Sequence, residues 1–241
     1  MLEHIQNIDK VSVEIERAGR TVSGEKSFFC QRGIKVVGFV CDENGRQPET
    51  SKIAKILQWP PCRNQTEVRA FLGVYVYYHI WIPKLSNIAS QLFGPLRQKT
   101  QFEWVAKHED SMRPLKDLLT KAPALRTIQY NRLEIIVTVD ASLTGWGAVL
   151  MQLDEDGRRH PCRYESGVWT DAETRYDAGK WECRGLLKAF QKFHVYLYGV
   201  RFVVVTDAYK LVPQVNIPAM DLSEVLIMRW LVWIRMIDFN I

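Results

Sequence analysis

The sequence lacks the features that mark secreted, disulfide-stabilised and membrane-spanning proteins. Its five cysteines are odd in number and widely scattered, and no Cys-x-x-Cys pair occurs. This pattern argues against a disulfide framework or clustered zinc ligands, and it favours reduced thiols in an intracellular protein, cytoplasmic or nuclear. The opening MLEHIQNIDKVSVEIERAG is charged throughout, unlike a signal peptide. No apolar run approaches membrane-spanning length, so we expect no membrane association.

Neither sign of charge is in large excess, and the composition is that of a folded protein. Hydrophobic residues make up 47% of the 241 residues and charged residues 24%. That is enough apolar content for one large domain or two small ones. The net charge of +5 agrees with nucleic-acid contact but supports it only weakly. Nothing in the sequence indicates the oligomeric state.

The pattern of apolar residues divides the chain near residues 123–133. Residues 1–125 are mostly helical in pattern, with an amphipathic helix over 1–19 and a strand and turn over 34–48. The later part indicates three strands, a long helix from about residue 171 to 198, a fourth strand, another helix and a fifth strand. We therefore predict an α/β fold, in which a mainly helical segment precedes a mixed five-stranded sheet with flanking helices.

Two β-branched runs end in a carboxylate. LEIIVTVD ends at Asp140 and RFVVVTD at Asp207. If a strand–helix–strand crossover joins them, the two strands are parallel and their ends meet at one edge of the sheet. Asp140 could instead end its strand and begin a turn, which is the commoner use of Asp in that setting.

The intervening helix supplies a third acid. Glu182 lies four residues before Leu186 on the apolar stripe, so its side chain is expected to face the sheet, although a lone Glu there more often turns to solvent. Three crowded carboxylates repel one another unless cations neutralise them, and Mg²⁺ (or Mn²⁺) prefers such oxygen ligands. We therefore predict Asp140, Glu182 and Asp207 as catalytic metal ligands. The nearby Gly145-x-Gly147 permits a close approach by a ligand, or forms a bulge.

Several of these segments resemble one family. VDASLTGWGAVLMQ, YDAGKWECRGLLKAFQKFHVYLYG and FVVVTD are similar to the ribonuclease H region of gypsy-type LTR-retrotransposon polyproteins. Residues 33–96 resemble the end of the reverse-transcriptase palm, its thumb and the connection region. The resemblance implies a palm remnant over residues 1–48, thumb and connection over 49–125, and a ribonuclease H-like domain over 126–241.

The resemblance also implies a function. Asp140, Glu182 and Asp207 match the first three acids of the family's metal site, which hydrolyses RNA paired to DNA with two metal ions. No Tyr-x-Asp-Asp occurs, so we expect no polymerase activity. The family's fourth acid would follow Ile241, and Asp238 does not replace it, so we expect a weak or inactive nuclease. The partner is then an RNA–DNA hybrid or another nucleic acid, weakly bound. The alternative is a non-catalytic nucleic-acid-binding or interaction module, or the relic of a decayed element.

Overall fold

The computed structural model describes residues 2–96, 101–130, 133–209, 211–216 and 225–241. These residues belong to two units, and the first, Met1–Ile34, contains helix α1 (Leu2–Arg17) and a short 3₁₀ turn (Gly24–Lys26). Gly19 follows α1 with φ +65°, a left-handed conformation that glycine adopts without strain and that ends helices. The predicted amphipathic helix is thus confirmed.

The second unit, Lys35–Ile241, begins with short strands and helices. Strand β1 (Ile34–Val36) precedes the antiparallel hairpin of β2 (Phe39–Asp42) and β3 (Gly45–Pro48). The sequence predicts a turn at Asn44-Gly45. Because Asp42 pairs with Gly45, the hairpin turns one residue earlier, at residues 43–44. The helices that follow are α2 (Thr50–Leu57), α3 (Gln65–Tyr77), α4 (Leu85–Ile88) and α5 (Ala106–Thr120).

The sequence predicts Asn64, three residues before Glu67, as the N-cap of helix α3, and the structure confirms it. The Asn64 side chain accepts a hydrogen bond of 2.9 Å from the backbone N–H of Glu67, which satisfies one of the free donors at the helix start. The sequence predicts that the aromatic residues of this region pack in the core, with stacking on bases as the alternative: Tyr75, Tyr77, Tyr78 and Trp81. Tyr75, Tyr78 and Trp81 are buried in the core of the helical segment, whereas Tyr77 is 42% exposed.

The rest of the second unit is a five-stranded mixed sheet with helices. Its strand order is β6-β5-β4-β7-β8, with β4 antiparallel to β5 and parallel to β7. The predicted fold is confirmed, including the parallel pair that follows from the crossover. The elements are β4 (Ile135–Ser142), β5 (Gly145–Leu153), β6 (Arg159–Val168), α6 (Ala178–Leu197), β7 (Phe202–Val205), α7 (Leu211–Asn216), α8 (Val225–Ile234) and β8 (Phe239–Asn240).

Two predicted boundaries are wrong. Strand β4 does not end at Asp140 but continues to Ser142, because its pairing with β5 runs on through the hairpin. The long helix does not begin near residue 171: a 3₁₀ turn occupies Glu173–Arg175, and Asp177 caps α6 by accepting a 3.0 Å hydrogen bond from the backbone N–H of Lys180. The sequence predicts the last helix over residues 223–236, and the part of it before Val225 lies outside the described residues.

Helix α6 packs on one face of β4. A Cβ atom added at Gly185 would lie 3.3 Å from Cβ of Ala141 and 3.7 Å from Cγ1 of Val139, so the helix backbone approaches this strand closely. The apolar stripe predicted on the helix is fully buried in the same core. No helix in the described part of the chain is long and apolar enough to cross a membrane. The finer division at residues 48 and 125 stays a prediction.

Candidate carboxylate site

Asp140 lies inside β4, on the face away from α6. Side chains alternate along a strand, so the residues beside Val139 and Ala141 point to the opposite face. Asp140 pairs with Gly147 on β5, and Gly147 pairs with Ser166 on β6. Directly opposed residues share a face. One face of the sheet therefore carries a row of three residues on neighbouring strands: the carboxylate of Asp140, Gly147 without a side chain, and the hydroxyl of Ser166.

Glu182 lies one turn into α6, near the sheet edge. Its side chain is partly buried, and within the described residues its Oε2 atom has no hydrogen-bond partner. Burial, followed by the negative charges of Asp207 and then Asp140, raises the pKa of this carboxyl from 4.5 to about 7. A buried carboxyl without a donor is uncommon, because desolvation disfavours its charged form.

Asp207 comes two residues after the end of β7 and is exposed. It shares a cavity of about 270 Å³ with Glu182. The cavity is also lined by Ala178, Gly179, Ala208, Tyr209 and Leu211. Of the three predicted ligands, the structure thus joins Glu182 and Asp207 in one cavity. Asp140 does not line this cavity, but its charge is near enough to raise the pKa of Glu182.

A lysine from the helical segment contacts Asp140. The ammonium of Lys84, immediately before α4, donates to Oδ2 of Asp140 and forms an ion pair with it. Its stem passes over the open position at Gly147, where an added Cβ would lie 3.2 Å from Cγ of Lys84. No local sequence pattern indicates this contact, because it joins residues 56 positions apart. The expectation at this glycine was a ligand or a bulge, and the group that approaches it in the structure is Lys84 of the chain itself.

The three carboxylates suit a divalent cation by their chemistry but not by their present arrangement. Carboxylate oxygens are the ligands that Mg²⁺ prefers, and the unpartnered oxygen of Glu182 offers one. Yet in the described ranges no group of three His, Cys, Asp or Glu residues could hold a metal ion. Asp140 contacts Lys84 instead, so metal binding by all three requires that contact to open.

Another buried glutamate, Glu173, has the opposite environment. Its side chain is 5% exposed and lies 2.7 Å from Nε of Arg184 and 3.2 Å from Nζ of Lys188. Thr170 donates to it from both its backbone N–H and its hydroxyl, at 3.0 Å each. Burial alone would raise the pKa of this carboxyl, but these donors outweigh it and lower the pKa to about 2. No local sequence pattern indicates this cluster, because Arg184 and Lys188 lie 11 or more positions from Glu173.

Comparison with known proteins identifies the sheet-bearing part. An RNase H-like domain found in reverse transcriptase matches residues 104–204. This part of the chain is therefore similar to the RNase H-like domain of reverse transcriptases. The match contains Asp140 and Glu182 and ends three residues before Asp207.

Retrotransposon polyproteins are similar to almost the whole chain. The Transposon Tf2-3 and Tf2-4 polyproteins of Schizosaccharomyces pombe (strain 972 / ATCC 24843) are each 27% identical over 240 residues. The alignments cover 99% of this chain and 18% of each relative, so the chain spans less than a fifth of their length. The resemblance to gypsy-type LTR-retrotransposon polyproteins is thereby confirmed.

Solved structures agree on the fold around this domain. The foamy viral protease-reverse transcriptase in complex with RNA/DNA hybrid has a TM-score of 0.77 at 20% identity, covering 100% of this chain and 33% of that one. The foamy viral protease-reverse transcriptase dRH in complex with ds DNA has a TM-score of 0.76 at 20% identity, covering 97% and 41%. At this identity the likeness shows the fold alone.

Proposed function

We propose that this chain is a retrotransposon reverse-transcriptase fragment whose RNase H-like domain hydrolyses the RNA strand of RNA–DNA hybrids, at an intracellular site. The observation that supports this most is Glu182: a partly buried carboxyl with one unpartnered oxygen, facing Asp207 across a cavity. A fold rarely retains such a group for stability, because its desolvation is uncompensated. Perturbed carboxyls of this kind are typical of functional sites.

The residues have separate parts in this proposal. Glu182 and Asp207 would hold Mg²⁺ or Mn²⁺ from the cavity, and Asp140 would join them as the third ligand once its contact with Lys84 opens. The bound ions would orient a water molecule and stabilise the leaving oxygen of a phosphodiester. The raised pKa of Glu182 means that this carboxyl is partly protonated near neutral pH, so metal binding releases a proton. The net charge of +5 favours approach of a nucleic-acid backbone.

Metal binding is tested by thermal unfolding. Millimolar Mn²⁺ at pH 7.5 should raise the melting temperature by about 3 °C, equivalent to about 1 kcal/mol of ligand stabilisation. Glu182→Gln should abolish that rise, while Asp156→Asn, an exposed acid of the β5–β6 hairpin, should retain it. A rise that is equal in Glu182→Gln would place the metal elsewhere.

Cleavage is tested with a labelled RNA strand annealed to DNA. The chain should cut the RNA in Mn²⁺, and Asp140→Asn should reduce the rate at least tenfold, whereas Asp156→Asn should cut at the parental rate. Cutting that persists in Asp140→Asn would show that the activity does not come from this site.

The second candidate is a non-catalytic nucleic-acid-binding or interaction module. The observation that favours it is the Lys84–Asp140 ion pair, which neutralises one carboxylate without a metal. This alternative predicts hybrid binding that is unchanged by chelator and by Glu182→Gln, with no cleavage. The first proposal predicts that the chelator and Glu182→Gln each reduce cleavage of the RNA strand of the hybrid.

A further inference from the structure

Lys84 reaches Asp140 through an arrangement that involves several elements. Its backbone is left-handed (φ +51°), which is uncommon for a residue with a side chain and persists where the surrounding structure holds it. Its carbonyl accepts hydrogen bonds of 3.0 Å and 3.2 Å from the backbone N–H groups of Asn87 and Ile88, so Lys84 begins α4. The position of the lysine is therefore linked to the position of that helix.

Helix α4 is in turn attached to the sheet beside the site. The backbone N–H of Ser86 donates to the Ser166 hydroxyl at 3.1 Å, and the two hydroxyls lie 3.2 Å apart. Ser166 is the third member of the row formed with Asp140 and Gly147. The attachment thus places Lys84 over the one position in the row without a side chain.

The glycine makes the contact possible. An added Cβ at Gly147 would lie 3.2 Å from Cγ and 4.0 Å from Cε of Lys84, so any larger residue would push the lysine stem from the sheet. Among the described residues, Lys84 is also the cation that contacts Asp140, whereas Oε2 of Glu182 has none. The result is one neutralised carboxylate beside two that are open to a cavity.

We propose that Lys84 is an internal competitor of the metal: its ammonium occupies Asp140, and it must withdraw before Asp140 can become a ligand. This inference rests on the proposed metal site and adds a control on its occupancy. Both side chains are well exposed, at 55% for Lys84 and 42% for Asp140. An ion pair this exposed is weak, so a divalent ion displaces it at a cost of at most about fivefold in affinity. Lys84 acts through Asp140 and is a positioning residue.

The test is a Mn²⁺ titration of the full chain, with free ion followed by electron paramagnetic resonance. Lys84→Met keeps the length of the stem over Gly147 and removes the charge, and it should tighten Mn²⁺ binding about two- to fivefold. Lys84→Arg keeps the charge and should bind no more tightly than the parent chain. Lys35→Met, which removes a similarly exposed lysine paired with Glu49 at 3.5 Å, controls for net charge and should leave the affinity unchanged.

A double-substitution cycle shows whether the effect passes through Asp140. In the Asp140→Asn background, Lys84→Met should no longer tighten binding, because the competition has been removed. An equal gain in both backgrounds would overturn the inference, as would equal affinity in the parent chain and Lys84→Met. If the parent chain and Lys84→Met bind equally and Glu182→Gln abolishes binding, the metal site stands and the competition fails. If no variant binds Mn²⁺, both proposals fail.

Discussion

Glu173, in the 3₁₀ turn before α6, and Glu182, in α6 itself, have pKa values shifted in opposite directions by their surroundings. Glu173 is held by Arg184, Lys188 and Thr170, and these donors lower its pKa to about 2. Glu182 lies beside other acids with an unpartnered oxygen, and burial raises its pKa to about 7. The first acid is satisfied by the fold. The second has one oxygen without a hydrogen-bond partner among the described residues, and the proposed metal ion would supply the positive charge that it lacks.

The largest test of this contrast is Glu173→Ala. Removing this carboxylate leaves two cations and a threonine without their acceptor near the start of α6, and we expect a loss of about 3 kcal/mol in the free energy of unfolding. Urea denaturation at pH 7 measures it. Glu182→Ala serves as the matched truncation and should cost well under half as much. Equal costs would mean that the two acids contribute alike to stability.

The pH dependence of stability sharpens the contrast and reverses its sign between the two sites. Because the pKa of Glu182 is raised from 4.5 to about 7 in the folded protein, its contribution favours folding at low pH and is lost as pH rises through this window. Relative to the parent chain and without metal, the free energy of unfolding of Glu182→Gln should therefore rise by on the order of 2 kcal/mol as the pH increases from 4.5 to 7. Urea unfolding at several pH values measures the gain.

The control for this profile is Glu173→Gln. The pKa of Glu173 is lowered from 4.5 to about 2, so its stabilisation is present above pH 4.5 and is lost as pH falls toward 2. Relative to the parent chain, Glu182→Gln should consequently become more stable as the pH rises from 4.5 to 7, and Glu173→Gln should be less stable above pH 4.5, with the difference disappearing toward pH 2. A Glu182→Gln profile parallel to that of the parent chain from pH 4 to 8 would contradict the raised pKa.

The same contrast marks what the sequence could predict. The sheet, the crossover and the three acids follow from local signals: β-branched runs, a glycine turn and a helical stripe. The start of α6 does not, because Thr170, Asp171 and Asp177 are all suitable helix caps and only packing selects Asp177. The end of β4 depends on its pairing with β5 in the same way.

The cations that contact Asp140 and Glu173 could not be predicted from local sequence patterns. The Lys84–Asp140 contact depends on where α4 meets β6, through a Ser86–Ser166 bond between residues 80 positions apart. Glu173 likewise gains its cations only once α6 has folded beside it. The sequence therefore indicates which acids could form a site, and tertiary packing decides which of them is neutralised.

The smallest expected effect comes from Lys84→Met measured without metal. An ion pair between side chains that are 55% and 42% exposed is screened by solvent, so the free energy of unfolding should change by less than about 0.5 kcal/mol. Urea denaturation in chelator at pH 7 checks this value, with Lys35→Met as the matched exposed lysine. A loss above about 1.5 kcal/mol in the free energy of unfolding would show that the contact of Lys84 with Asp140 stabilises the fold. Gly147, over which the lysine stem lies, would then contribute to stability and not to the control of a metal site.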